Sequence, residues 1–154
     1  MMKSNLINAV KTTGKKYAIA LSASANRGKT SILKKLVDMF RADDAAVLVD
    51  VAPMKTRIDE MWCFIKDEMR IAIVTGGDTA EMIDAGFDFA KKNGCQILFC
   101  STRYYSNSPS WQQFVNRCGS DGYERDWQTV KVYSKATLNV MHDDVAQNVL
   151  WKML

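Results

Sequence analysis

The sequence predicts an α/β domain built on a mainly parallel sheet, and three observations carry that prediction. Short β-branched or apolar runs alternate with longer segments of helical periodicity, the order expected when helices cross over between parallel strands. A strong strand, "YAIALS", is followed within a few residues by a strong helix, and no repeat, low-complexity tract or Pro/Gly/Ser-rich linker breaks the chain. The bulk numbers, 154 residues with 47% hydrophobic and 25% charged, suit a single domain spanning 1–154 with one substantial core.

Each element has its own signal. "SNLINAV" suggests a short N-terminal helix, and "YAIALS" (17–22) is the first firm strand. From Lys29 to Phe40 the residues Ile32, Leu33, Leu36, Val37 and Phe40 recur at helical spacing. "AAVLVDVA" (45–52) reads as a buried strand. "MWCFIKDEMRIAIVT" reads as a hairpin, with Met61 to Ile65 and Arg70 to Thr75 joined by a polar turn at Lys66-Asp67-Glu68. "DTAEMIDAGFDFAKKNG" (78–94) opens on a capping carboxylate and closes at Asn93-Gly94, so both helix ends are marked. "CQILFCS" (95–101) is another strand, and a helix over 110–118, a strand "TVKVYS" (129–134) and a helix over 143–153 complete the chain. The expected architecture is a three-layer sandwich: a five-stranded, mainly parallel sheet with an added antiparallel hairpin strand, and helices on both faces.

Composition narrows the function classes. The longest apolar runs fall far below the roughly 20 residues that cross a bilayer, and the N-terminus lacks a signal-like apolar stretch, so the expectation is a cytoplasmic protein without a membrane partner. Cys63, Cys95, Cys100 and Cys118 show no Cys-x-x-Cys spacing and His142 is the only histidine, which argues for reduced, buried thiols rather than a zinc site. The net charge of +4 comes from scattered lysine pairs, not the dense basic stripe of a nucleic-acid binder.

Residues 23–30, Ala23-Ser24-Ala25-Asn26-Arg27-Gly28-Lys29-Thr30, fit the phosphate-loop pattern Gly-x-x-x-x-Gly-Lys-Ser/Thr except at the first glycine, where Ala23 stands. A tight turn between strand and helix points its backbone N–H groups inward as an anion nest, and the helix dipole reinforces it. In that chemistry Ala23 to Ser31 cradle the nucleotide, Lys29 reaches the β- and γ-phosphates, and the Thr30 hydroxyl ligates Mg²⁺. The bland alternative is a Ser/Asn-rich turn with a chance Gly-Lys-Thr; the flanking strand and helix favour the working site.

The loop "SASANRGKTS", with "RIAIVTGGD" and "CQILFCSTR" after it, resembles the small bacterial and mobile-element P-loop proteins described as ATP-binding or ATPase-like, over about residues 17–120. Those relatives carry glycine where Ala23 stands, and a Gly-Asp pair matching Gly77-Asp78. The resemblance implies a P-loop NTPase-like fold and an ATP–Mg²⁺ ligand, and no biological role.

Two carboxylates could serve the metal. Asp50 ends the second strand and Asp78 follows Thr75-Gly76-Gly77, on a strand expected beside the loop strand. Asp78 has a competing role as helix cap in a box with Glu81, and Asp50 as a strand-end turn residue. Arg103 follows the fourth strand at the carboxyl edge, placed to meet phosphate, with Tyr104 or Tyr105 available to a base; the alternative is a solvated surface loop. Arg117 and Arg125 are candidates for a lid over the phosphates.

Lys29, Asp78 and Arg103 are thus the catalytic candidates, and Thr30, Asp78 and Asp50 the metal candidates, of a slow Mg²⁺-dependent ATPase acting as a nucleotide-controlled switch on an unidentified protein partner. A small-molecule or nucleotide kinase is the first alternative, with Asp50 positioning an acceptor bound by Lys55 or Arg57, but "VAPMKTRIDE" (51–60) offers little room for an acceptor. A non-hydrolysing nucleotide-binding interaction module is the second. The guanine reader Asn-Lys-x-Asp is replaced by "CSTR", which favours ATP over GTP.

Overall fold

Tyr17, Ala18, Ile19, Ala20 and Leu21 are all buried, as a strand requires when both its faces are covered. They belong to β1 (Lys16–Ala23), which sits inside a six-stranded sheet. The computed structural model describes residues 5–23, 29–54, 59–103, 107–129 and 145–154. In chain order the elements are α1 (Leu6–Thr13), β1, α2 (Lys29–Ala42), β2 (Ala46–Pro53), β3 (Glu60–Lys66), β4 (Met69–Val74), α3 (Ala80–Lys92), β5 (Ile97–Arg103), α4 (Pro109–Asp121), β6 (Tyr123–Thr129) and α5 (Val145–Trp151), the last with π-helical hydrogen bonding.

The period of two along each strand divides the core into two halves. Tyr17, Ile19 and Leu21, with Ile71, Ile73, Ile97 and Phe99, face α1, α2 and α5, where Leu33, Leu36, Phe40 and Leu150 are buried against them. Ala18 and Ala20, with Ala72, Val74, Leu98 and Cys100, face α3 and α4. Small residues on that second face let α3 approach closely: a Cβ on Gly86 would lie 3.1 Å from Val74 Cγ1. Arg117 of α4 ties the two helices of this layer together, donating to Asp84 and Asp88 of α3 at 3.0 and 2.8 Å, and to Asp121 of its own helix at 2.9 Å. Those carboxylates hold its pKa above the ordinary arginine value despite its partial burial, which opposes the shift. It clamps these two helices together; Arg125 lies opposite Ala18, in the amino half of β6 and away from the carboxyl edge.

The strand order β2-β3-β4-β5-β1-β6 gives a mixed sheet. Pairs β4·β5, β5·β1 and β1·β6 are parallel, whereas β2·β3 and β3·β4 are antiparallel. The mainly parallel five-stranded sheet is corrected in this respect. The hairpin β3–β4 forms where the sequence places it, with Asp67 and Glu68 turning at φ 52° and 68°, but β3 enters between β2 and β4. So β2 is left at the edge with its valines exposed, and the buried strand expected over 45–52 is not buried. An apolar run reads the same whether or not a neighbour covers it. The last strand also moves, to 123–129; residues 130–134 of the expected strand lie outside the described residues.

Candidate functional site

The carboxyl ends of β4, β5 and β1 point to one edge of the sheet, and β3, running the other way, begins there. The helix after β1 packs on one face and the helix after β5 on the opposite face, so a crevice opens between these neighbouring strands. Open α/β sheets bind ligands at such a switch point.

α2 begins at Lys29 and presents its first two side chains to this crevice. Lys29 turns inward: its Nζ donates to Asp78 Oδ1 at 2.9 Å and to the Thr102 carbonyl at 2.8 Å, and only 5% of the residue is exposed. Burial pushes its pKa below the ordinary lysine value, more than the Asp78 hydrogen bond and charge restore, and the Arg103 charge pushes the same way as burial. The structure thus holds the ammonium in a low-dielectric site against a carboxylate. Arg103 Nε lies 3.5 Å from the same Asp78 oxygen, so one carboxylate faces two cations. The Arg103 backbone N–H donates to Ser110 Oγ at 2.9 Å, which pins the end of β5 to the start of α4.

Thr30 finds a different carboxylate. Its Oγ1 lies 3.2 Å from Asp59 Oδ1 and 3.2 Å from the Thr75 carbonyl. Asp59 is buried, and its Oδ1 also accepts from Thr75 Oγ1 at 3.2 Å, while Thr75 Oγ1 accepts from the Glu60 N–H at 2.9 Å. The Met54 N–H donates to the Asp59 carbonyl at 3.1 Å and fixes the entry to β3. Asp59, which is not among the carboxylates singled out from the sequence, is thus the one that meets the Thr30 hydroxyl.

Gly76 and Gly77 serve close approach rather than flexibility. A Cβ on Gly77 would fall 1.6 Å from the Ser101 carbonyl oxygen, and one on Gly76 would fall 2.9 Å from Asp59 Cγ. Bare backbone at both positions lets the chain after β4 run against β5 and Asp59 and bring Asp78 to Lys29.

The remaining candidates divide clearly. Asp78 does not cap α3; Thr79 does, its side chain accepting from the Met82 N–H at 3.2 Å. Its strand is not beside β1 either, because the β4–α3–β5 crossover lays β5 between them. Asp50 is excluded from the site. It accepts from Asn93 Nδ2 at 3.1 Å and lies 3.8 Å from Lys92 Nζ, at the C-terminal end of α3, whereas Asp78 precedes its N-terminal end about 20 Å away along the helix. Ser31 is exposed on α2. Ser24, Ala25, Asn26, Arg27 and Gly28 lie outside the described residues, as do Lys55, Arg57, Tyr104 and Tyr105; of Ala23 the backbone closes β1.

No known protein family, curated protein or solved structure matches the chain. Among the described residues no three His, Cys, Asp or Glu side chains gather as a closed metal site, and no helix is long and apolar enough to cross a membrane. Among the described residues, one buried side-chain polar atom has no hydrogen-bond partner: Thr102 Oγ1, in the residue whose carbonyl receives Lys29. Such an orphan costs about 1–3 kcal/mol.

Proposed function

We propose that this chain is a P-loop nucleoside triphosphate-binding protein, with ATP and Mg²⁺ as ligands, that hydrolyses slowly and acts as a nucleotide-controlled switch. The observation that carries the reading is the pairing of consecutive residues at the start of α2 with separate carboxylates: Lys29 with Asp78, and Thr30 with Asp59. An ammonium for the phosphates beside a hydroxyl and a carboxylate for a hard cation is the division of labour that triphosphate binding needs. Thr30 and Asp59 supply oxygen donors that suit Mg²⁺, which takes few protein ligands and completes its shell with phosphate and water. Bound there, Mg²⁺ would neutralise charge on the phosphate oxygens. Lys29 would leave Asp78 for phosphate, and Arg103, at the same carboxylate, is the second cation within reach of the incoming anion.

The kinase alternative is weakened because Asp50, its acceptor-positioning residue, faces Asn93 and Lys92. Calorimetric titration with ATP, GTP and ADP, each with and without Mg²⁺, followed by a phosphate-release assay, tests the reading. ATP binding that gains from Mg²⁺, disappears in a folded Lys29→Ala variant and leads to slow phosphate release without an acceptor is expected. Wild-type affinity in folded Lys29→Ala would end the P-loop reading, and binding without release would leave a non-hydrolysing module.

A further inference from the structure

We propose that Cys63 and Cys95 are a peroxide-oxidisable dithiol that closes to a reversible disulfide and staples β3 to the end of α3. Their sulfurs lie 3.4 Å apart, although the residues are distant in sequence: Cys63 stands in the middle of β3, and Cys95 follows the C-terminal end of α3. A disulfide has an S–S length of about 2.05 Å, so about 1.4 Å has to close. Rotations of about 30° at the two χ1 angles, within the breadth of a rotamer well, supply that distance. The Cys95 backbone is anchored on both sides: its N–H donates to the Ala90 carbonyl at 2.9 Å, and its carbonyl accepts from the Tyr123 hydroxyl at 2.6 Å. The sulfur is thereby held against β3.

The two thiols are chemically unequal. The hydrogen bond from Cys95 S–H holds the Cys63 pKa below the ordinary thiol value, against burial and with help from the Arg70 charge, whereas the same bond and burial push Cys95 up. Cys100 and Cys118 are buried on the same face of the sheet, and burial pushes both up, Cys118 to about 12. Cys63 is thus the thiol of the four that ionises most readily, and the thiolate is the nucleophile. Its sulfur attacks one oxygen of a hydroperoxide, here hydrogen peroxide, and the O–O bond breaks. Cys63 becomes a sulfenic acid, and the leaving hydroxide takes up the proton that Cys63 released. The Cys95 sulfur then attacks the Cys63 sulfur and expels the second water as its own proton leaves. Two thiols and one peroxide give one disulfide and two waters.

Both sulfurs are buried, so the oxidant enters by local opening, and the fold is weakest beside them. β2 is the outermost strand, and its register on β3 slips between Leu48 and Asp50, next to the pairing of Asp50 with Cys63. Asp50 also accepts from Asn93 Nδ2, two residues before Cys95. One bulge and one side-chain hydrogen bond therefore bracket the pair, and an interrupted edge strand opens at the low end of local stability. The thiols lie at the opposite end of α3 from Asp78, so the inference is independent of the nucleotide reading.

The test exposes the whole native chain to hydrogen peroxide, then unfolds it in the presence of a thiol-alkylating reagent and reads free thiols and mass. Two of the four thiols should be lost, electrophoresis without reductant should show single chains, and dithiothreitol should restore both thiols. The linked protein should melt roughly 5–15 °C higher than the reduced one, because the bond closes a loop that holds β4 and α3. Cys95 and Cys100 share one tryptic peptide, 93–103, so variants identify the partner of Cys63. Cys100→Ala should link as the wild type does, and Cys95→Ala should not. Circular dichroism checks that each variant is folded, and the wild-type and Cys100→Ala results decide the matter even where Cys95→Ala is not. Four free thiols after peroxide, chains joined in pairs, loss of the link in folded Cys100→Ala, or an equal link in Cys95→Ala would overturn the proposal.

Discussion

Asp78→Asn separates the two tasks a carboxylate could perform at this site. In the structure Asp78 Oδ1 receives Lys29 Nζ at 2.9 Å and stands 3.5 Å from Arg103 Nε, while Thr79 caps α3, so the change removes a counterion and leaves the cap intact. Asparagine keeps an acceptor oxygen but no charge, so burial and Arg103 then oppose the buried Lys29 with no counterion from Asp78, and the Thr102 carbonyl remains as an acceptor. A hydrogen bond to a charged group contributes about 1.5–3 kcal/mol, and the 43% exposure of the Asp78 side chain reduces that to about 1–2 kcal/mol. For a domain of this size the loss corresponds to a fall in Tm of roughly 2–8 °C in the absence of nucleotide. The same free energy no longer has to be spent in drawing Lys29 away from Asp78, so Mg²⁺-free triphosphate affinity should rise roughly 5–30-fold. The Mg²⁺ dependence should survive, because Thr30 and Asp59 are untouched, and it should be lost in Asp59→Asn. Differential scanning fluorimetry and calorimetry with and without Mg²⁺ measure all three quantities. Loss of Mg²⁺ dependence in Asp78→Asn with its retention in Asp59→Asn would refute the reasoning and make Asp78 the metal carboxylate.

The other predictions follow from single geometric facts. Lys29→Met should leave the nucleotide-free protein close to wild-type stability in thermal melts, because the relief of a buried ammonium offsets the lost contacts to Asp78, whose side chain is partly in water, and to the Thr102 carbonyl; binding should be lost. The pH dependence has a definite sign: with the folded pKa of Lys29 below the ordinary 10.5, the unfolded chain holds more protons between the two values, so wild-type stability gains on Lys29→Met as pH rises toward 10.5, and chemical denaturation of both proteins across alkaline pH measures the gap. Thr102→Val should stabilise the nucleotide-free protein or leave it unchanged in thermal melts, since the hydroxyl it removes is buried without a partner. Gly77→Ala should cost about 3 kcal/mol or more by urea denaturation, since a Cβ 1.6 Å from a backbone oxygen forces β5 to move.

What could be read from the sequence is what depends on neighbours along the chain. Lys29 and Thr30 open a helix directly after a strand-to-helix loop, and the period-3.6 pattern over 29–40 and the hairpin turn at 66–68 are both local signals; each is where it was expected. Asp78 and Arg103 could be placed at the carboxyl edge because each follows a strand. Asp59 could not be found this way. It sits in "KTRIDE", 29 positions from Thr30 with no motif linking them, and reaches the site because β3 runs antiparallel. The clue was in the hairpin itself: if β3 returns alongside β4, the residue before β3 must lie beside the residue after β4, which puts Asp59 against Thr75. Asp50 failed for the complementary reason. Its position late in a strand suggested the carboxyl edge, but it pairs with Cys63 midway along the edge strand, and only the observed register shows that.

The Lys29–Asp78 contact also bears on how a switch could operate. A ligand shifts a conformational equilibrium only through contacts that differ between the two states. Without ligand, Lys29 holds Asp78, and Asp78 immediately precedes the cap of α3, the helix locked to α4 through Arg117 and its three carboxylates. Under the proposed function, a phosphate that captured Lys29 would free Asp78 at the head of that pair. Gly76 and Gly77 run close to Met82, Asp59 and Ser101, so closely that a Cβ at either would collide with them. The released carboxylate would then move together with the start of α3 rather than swing independently. In the proposed switch, occupancy at the head of α2 is therefore read out on the opposite face of the sheet, by the layer that α3 and α4 form.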